Sequence, residues 1–151
     1  AFHIEAAYGV SEQAGGPDTE DYKVFDMGVA SEFGNWELKA EYVAGETIRG
    51  IDGWDSTAYF LSGGYMIGRG VQGVVRYYSA DSDKPLQDKV TLDNTVIGLN
   101  WYIAPLSYKA RDLQRQKIVF NYIIASGDTD EWNGVSGFKD DAWVMQWQYK
   151  F

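Results

Sequence analysis

Few residues in this chain could carry out catalysis. It contains one histidine, His3, and no cysteine, so a thiolate nucleophile, a disulfide and a thiolate zinc site are all excluded. Histidine-based acid–base chemistry would need a serine or a carboxylate held beside the ring. The residue pattern instead places His3 at the start of a strand, on its polar side, where a lone histidine is most often a simple hydrogen-bonding residue. We therefore expect no catalytic residue and no enzyme activity.

Acidic residues cluster in two segments that could attract a cation, because calcium prefers such groups of oxygens. The run that begins at Asp128, however, has Trp132 at its fifth position and Asn133 where the turn of an EF-hand requires glycine. A solvated acidic rim is the better interpretation, and we predict neither a metal nor a cofactor. The clustered residues are Asp81, Asp83, Asp88, Asp128, Asp130, Glu131, Asp140 and Asp141.

Composition and charge narrow the class of protein. The formal net charge is −9, which disfavours nucleic acid as a partner because phosphate binding needs clustered Lys and Arg. No stretch approaches the ~20 apolar residues of a membrane helix, and the chain does not open with the basic and apolar segments of a secretory signal. Its length suits a single domain over residues 1–151.

Alternation of apolar and polar residues is the dominant pattern, and it recurs about eight times. In the clearest case, large apolar residues occupy every second position from Trp143 to Phe151, with Gln146, Gln148 and Lys150 between them. Aromatic residues make up 16% of the chain, yet the mean hydropathy is only −0.35, because apolar residues are spread singly. The stretches 54–67 and 117–126 alternate less cleanly. The pattern predicts strands with one apolar and one polar face.

The connections between these strands alternate in length. Gly and Asn mark tight turns at 33–35 and 68–70. Longer acidic loops occupy 11–20, 47–53, 82–89 and 127–139. Short turns at one end and long loops at the other are typical of outer-membrane barrels, so we predict an all-β fold, a transmembrane antiparallel up-and-down β-barrel with about eight strands in this chain. The connection 104–116 is an exception, because it is long and basic where a short turn is expected.

The predicted topology assigns side chains to two surfaces. Aromatic rings near strand ends suit the headgroup zone of a bilayer, and these predicted membrane-interface residues are Trp36, Tyr42, Trp54, Tyr65, Tyr77, Trp101, Trp143, Tyr149 and Phe151. The predicted lumen-lining residues are Glu5, Asp26, Glu32, Glu37, Lys39, Glu41, Arg76, Asn100, Asn121, Gln146, Gln148 and Lys150. Lys117 is ambiguous because it begins a strand. In a barrel of ~8 strands the inward side chains would fill the interior, whereas in one of ~16 they would line water.

A soluble sandwich or a lipocalin-like barrel would also alternate, with its apolar face inward. Two features argue against a soluble fold. Apolar faces this rich in large aromatic residues would overfill a small core, and the polar faces carry fewer Lys and Glu residues than a soluble exterior normally does. Dispersion in water without detergent would distinguish the soluble fold from the membrane barrel.

Several runs in the chain resemble strands of the phosphate-selective porin family, in the family's order. They are Gly34–Tyr42, Trp54 with Ala58–Leu61, Val96–Pro105 and Ile118–Tyr122. The resemblance covers most of residues 33–151, and it implies a barrel of about sixteen strands, assembled as a homotrimer, of which this chain would be the C-terminal half. The family's anion selectivity depends on Lys and Arg residues of a constricting loop, and no such loop is visible here. Phosphate preference is therefore not carried over.

The leading hypothesis from the sequence is a porin of the cell outer membrane, through which small hydrophilic solutes or ions diffuse passively along a water-filled lumen. Its partners would be outer-membrane lipid and lipopolysaccharide, the solutes, and further copies of the chain in a trimer. The alternative is a complete eight-stranded outer-membrane barrel with a packed interior and a structural, adhesive or sensory role.

Overall fold

The alternating segments form eight long strands in the computed structural model, which describes residues 1–12, 20–68, 70–103, 116–127, 131–132, 135–136 and 139–149. The long strands are β1 Phe2–Ser11, β2 Tyr22–Phe33, β3 Trp36–Glu46, β4 Asp55–Gly68, β5 Val71–Asp83, β6 Val90–Tyr102, β7 Gln116–Gly127 and β10 Ala142–Tyr149. Two short strands, β8 Glu131–Trp132 and β9 Val135–Ser136, pair with each other. The less cleanly alternating stretches 54–67 and 117–126 thus also form strands.

The eight long strands make one sheet in the order β1-β2-β3-β4-β5-β6-β7-β10, and every neighbouring pair is antiparallel. This confirms the predicted all-β, up-and-down arrangement of about eight strands. The sheet is open, because its edge strands β1 and β10 are not paired with each other within the described part of the chain. Closure into a barrel therefore stays a prediction.

Tight turns lie at one end of the sheet, here called the short-turn end. Phe33 pairs with Trp36, which leaves a two-residue turn with Gly34 at φ +56°, a conformation that glycine adopts without steric cost. At the β4–β5 turn Gly70 has φ +83°, and a Cβ there would lie 3.0 Å from the backbone oxygen of Tyr102. The longer connections lie at the opposite end, here called the loop end. The base of the β6–β7 connection is hydrogen-bonded at the short-turn end, and residues 104–115 of that predicted long segment lie outside the described residues.

The loop between β3 and β4 contains the single-turn 3-10 helix Ile48–Gly50, which the alternation did not predict. Thr47 and Arg49 have φ of 52° and 56°, and the backbone N–H of Ile48 donates to the Trp54 carbonyl at 2.8 Å. The backbone N–H of Thr47 donates to Asp55 Oδ1 at 3.2 Å. These local bonds fold the loop back onto the sheet. Within the ranges that the structure describes, no helix is long and apolar enough to cross a membrane.

The strand register divides the side chains between two faces, because opposite residues of antiparallel strands point to the same side. The polar face carries Glu37 and Lys39 of β3, Gln72 and Arg76 of β5, and Asn100 of β6, together with further polar residues of the other strands. The apolar face carries Trp36 and Leu38 of β3, Leu61 and Tyr65 of β4, Val75 of β5, Ile97 and Leu99 of β6, and Phe120 of β7. The predicted two-faced character of the strands is therefore present in the sheet.

Burial of the two faces is the reverse of that in a soluble sheet, where the apolar face is the buried one. On the polar face, Val74 and Val96 are 7% and 6% exposed, whereas their chain neighbours on the apolar face, Val75 and Ile97, are 55% and 53% exposed. Gln72, also on the polar face, is only 4% exposed. On a flat sheet adjacent residues would be about equally accessible, so the sheet curves with its polar face on the concave side.

Candidate functional site on the concave polar face

The register places the described members of the predicted lumen-lining set on one face. They are Glu5, Asp26, Glu32, Glu37, Lys39, Glu41, Arg76, Asn100, Asn121, Gln146 and Gln148. Lys150 lies outside the described residues. Lys117, which the sequence left ambiguous, pairs with Tyr102 and Gln148 and therefore belongs to the same face. That this face lines a lumen is a proposal.

The predicted interface aromatics mostly occupy the apolar face. This holds for Trp36, Tyr42, Tyr65, Tyr77, Trp101 and Trp143. Tyr149 ends β10, and Phe151 lies outside the described residues. Trp54 differs, because it precedes β4 in the loop, and its Nε1–H donates to the Ser82 Oγ at 3.2 Å. Ser82 belongs to the polar face, so this indole lies toward the concave side at the loop end.

Two pairs of aromatic rings lie at different positions along the strands on the apolar face. Trp36 and Tyr65 have ring centroids 4.7 Å apart near the short-turn end, and Tyr59 and Tyr77 have centroids 5.9 Å apart nearer the loop end. At the level of the second pair and beyond it, acidic residues appear on this face. Its residues there include Glu46, Asp55, Asp81, Asp83 and Asp93. The apolar surface is therefore a band with a charged border at the loop end.

The concave face carries a hydrogen-bond cluster centred on Gln72. Gln72 Nε2–H donates to Glu37 Oε2 at 2.8 Å. Gln72 Oε1 accepts from Asn100 Nδ2 and from the Tyr102 hydroxyl, both at 2.9 Å. Glu37 Oε1 is paired with the Lys39 ammonium. The cluster joins β3, β5 and β6 near the short-turn end, and it fixes the orientation of the Glu37 carboxylate.

Glycine makes room for this cluster. A Cβ on Gly64, which lies between Glu37 and Val74 across the sheet, would be 2.6 Å from Gln72 Nε2. Gly98 plays the same part beside Asn121, whose Oδ1 would be 2.2 Å from a Cβ. Long polar side chains therefore cross the concave face above positions that have no side chain of their own.

The cluster forms one wall of a pocket of about 240 Å³ on the concave face. Cations outnumber carboxylates there, because Lys39, Arg76 and Lys117 line it beside the single carboxylate of Glu37. No carboxylate oxygen lies within 4.0 Å of the charged nitrogens of Arg76 or Lys117 among the described residues. The pocket is thus locally positive in a chain whose formal net charge is −9.

Two aromatic rings also belong to this face, where alternation gives mainly polar residues. Phe60 and Tyr78 are cross-strand neighbours whose rings stack with centroids 5.8 Å apart and an interplanar angle of 27°. Both line the pocket, on its side toward the loop end. Tyr78 follows the alternation of its strand, because it lies two residues after the predicted lumen residue Arg76, but the weak alternation of 54–67 gave no reliable face for Phe60.

Three of the other candidate groups, Asp81, Asp141 and His3, have partners within the protein. At the loop end Asp81 accepts from Thr91 Oγ1 at 2.7 Å and pairs with Lys89 at 3.2 Å. Asp141 accepts from the Tyr122 hydroxyl at 2.6 Å. His3 lies 3.2 Å from Glu5 Oε2 on the exposed end of β1. Among the described residues no three or more potential ligands converge as a metal site would require; Asp128 and Asp130 lie outside them.

Comparison with known protein families, with curated proteins and with solved structures gave no significant match.

Proposed function

We propose that the chain forms part or all of an outer-membrane porin, in which the concave polar face lines a water-filled path for small hydrophilic solutes or ions. The observation that carries the proposal is the reversed burial of the sheet, with Val74 at 7% and Val75 at 55% exposure. A surface this apolar and this exposed is unstable in water. Lipid chains on the convex side and water on the concave side would solvate both faces.

The length of the apolar band supports a membrane position. On β2 it runs from Phe25 to Phe33 and on β3 from Trp36 to Ala44, which is roughly nine residues in each case and close to the ~9–11 that a tilted spanning strand needs. The aromatic pairs near its borders match the preference of Trp and Tyr for the headgroup zone. The acidic border beyond Tyr77 would then lie outside the bilayer.

The edge strands support closure of the sheet. Neither β1 nor β10 contains Pro or Lys, and neither has a bulge in its register with the adjacent strand. Natural proteins often protect open edges with these devices, so edges that lack them favour strands that are paired in the complete protein. With eight strands the edges run antiparallel, so either β1 pairs with β10 or an even number of further strands lies between them. The resemblance to phosphate-selective porins favours a larger barrel of about sixteen strands and a trimer.

Conductance in planar lipid bilayers tests this function. The full protein, purified in detergent, should give stable current steps whose size rises with KCl concentration, because water-filled pores conduct by ion diffusion. A Ser62→Trp variant should reduce the step size, since Ser62 faces the concave side. Leu61→Trp, one position away on the apolar face, is the matched control and should leave it unchanged. Absence of steps would favour the packed eight-stranded barrel, and a monomeric protein stable in buffer without detergent would rule out both membrane forms.

A further inference from the structure

We propose that the pocket on the concave face recognises a small aromatic carboxylate, a single flat ring that bears one carboxyl group. The inference rests on the proposed porin function and specifies a solute class for it. Phe60 and Tyr78 would contact the ring, Arg76 would bind the carboxylate, and Lys117 would add to the positive charge that attracts it.

The stacked rings are the first observation. A water-filled path needs no aromatic wall, yet Phe60 and Tyr78 lie side by side on the concave face, and Tyr78 is 38% exposed. A partly exposed aromatic pair offers a flat apolar surface to which another ring can stack at little conformational cost. On the apolar face the neighbouring rings of Tyr59 and Tyr77 suit lipid contact, which does not explain the pair on the opposite side.

The second observation is that cations outnumber carboxylates in the pocket. Both oxygens of Glu37 are already engaged, one with Lys39 and the other with Gln72. Arg76 and Lys117 have no carboxylate within 4.0 Å among the described residues, although both line the same pocket. The pocket therefore holds three cations beside the single carboxylate of Glu37, and such an excess of like charge in a small space is unfavourable. A carboxylate bound at Arg76 would reduce this excess of positive charge, and the planar guanidinium suits its geometry.

The positions of the groups match the shape of such a ligand. Along β5, Tyr78 and Arg76 are successive residues of the polar face, so the ring surface and the guanidinium are adjacent. The pocket volume of about 240 Å³ is below the ~300–1,000 Å³ of sites for drug-sized molecules, which favours a single-ring solute. A neutral sugar would leave the cations unpaired, and inorganic phosphate would leave the rings without a partner.

The three classes of solute can be distinguished by how strongly each one blocks the ionic current through the channel. In planar bilayers of the full protein, benzoate should halve the current at a concentration about tenfold lower than phosphate or glucose, which corresponds to ~1.4 kcal/mol. Arg76→Gln and Tyr78→Leu should each raise that benzoate concentration by about tenfold. The controls are Lys84→Gln, a cation in the β5–β6 loop, and Tyr59→Leu, which removes a ring from the apolar face; both should respond as the parent does.

Each outcome decides one of the two proposals. A channel that conducts but is blocked equally by all three solutes, or best by phosphate or glucose, overturns the aromatic carboxylate and leaves the porin intact. Normal benzoate block in Tyr78→Leu overturns the role of the rings. If no channel forms, the porin fails, and calorimetric titration of benzoate into the detergent-solubilised protein decides the pocket separately. Binding that Arg76→Gln weakens about tenfold supports the site, and absence of binding overturns it.

Discussion

Two glycines on the concave face leave room for polar side chains that lie across them. Gly64 accommodates the amide of Gln72 and Gly98 that of Asn121. The same residue type on the apolar face has a different environment, because a Cβ on Gly63 would meet only Leu38 Cδ2, at 3.7 Å. Substitution by alanine should therefore have opposite effects on the two faces.

Gly98→Ala should destabilise the protein by about 1–3 kcal/mol, the usual cost of overpacking. The new Cβ would lie 2.2 Å from Asn121 Oδ1 and 3.0 Å from the Phe120 backbone oxygen, so Asn121 would have to move. Gly63→Ala is the matched control, and it should be neutral or slightly stabilising because alanine restricts the unfolded chain. Urea unfolding in detergent micelles measures both, and an equal effect of the two changes would contradict the assigned faces.

Gln72→Leu should destabilise the protein by about 1–3 kcal/mol, since it leaves the buried Asn100 amide and the Tyr102 hydroxyl without their acceptor. Gln146→Leu is the control, because Gln146 is on the same face of edge strand β10, is exposed, and is bonded only to Gln148 in the described structure. The same unfolding measurement compares them. A Gln72→Leu variant as stable as Gln146→Leu would show that the cluster contributes little.

At the scale of the strand, alternation determines which substitutions are tolerated. In β6, Ile97 lies on the apolar face and Asn94 on the polar face. These two positions are close together in one strand, but the proposed environment of the first is lipid and that of the second is water. A charged residue therefore tests the environment of each face directly.

Ile97→Lys should reduce the free energy of unfolding by about 2–4 kcal/mol, the cost of Lys on the lipid face near the bilayer midplane. Asn94→Lys should change it by less than about 1 kcal/mol, because a lumen side chain stays hydrated. Reversible unfolding from lipid vesicles measures the difference. If Ile97→Lys proved as mild as Asn94→Lys, the apolar face would not lie against lipid.

For the whole molecule, the exposed apolar face is the property that most constrains function. Four of the six tryptophans lie on this face, namely Trp36, Trp101, Trp143 and Trp147, and all four are exposed, Trp143 at 80%. Trp54 instead has its indole near the cations Lys84 and Arg49 in the loop region. Lipid contact should therefore be detectable by fluorescence.

Tryptophan emission should be strongly quenched when the protein is reconstituted in lipids brominated along their acyl chains, because bromine quenches rings that it touches. Bromine near the headgroup should quench more than bromine at the chain end, since Trp36, Trp101 and Trp147 lie toward the short-turn border of the band. Trp54→Phe should leave the quenched fraction nearly unchanged or raise it, whereas Trp143→Phe should lower it. Emission unaffected by brominated lipid would contradict a membrane position.

The amino-acid sequence by itself determined the eight long strands, their two faces and the tight turn at Gly34, because these depend on local alternation and on backbone conformations that glycine allows. The alternation also predicted that Arg76 and Asn100 lie on the polar side of their strands, and the observed strand register agrees. Only the tertiary structure determined the burial of individual residues and the contacts between distant strands, because the local alternation carries no information about either. The curvature of the whole sheet buries Gln72 at 4% exposure, and pairing between strands brings Glu37, Gln72 and Asn100 into one cluster from positions far apart in the chain. Pairing also assigned Lys117 to the polar face and stacked Phe60 on Tyr78, since the face of a residue at a strand start or in a weakly alternating segment depends on its cross-strand neighbour.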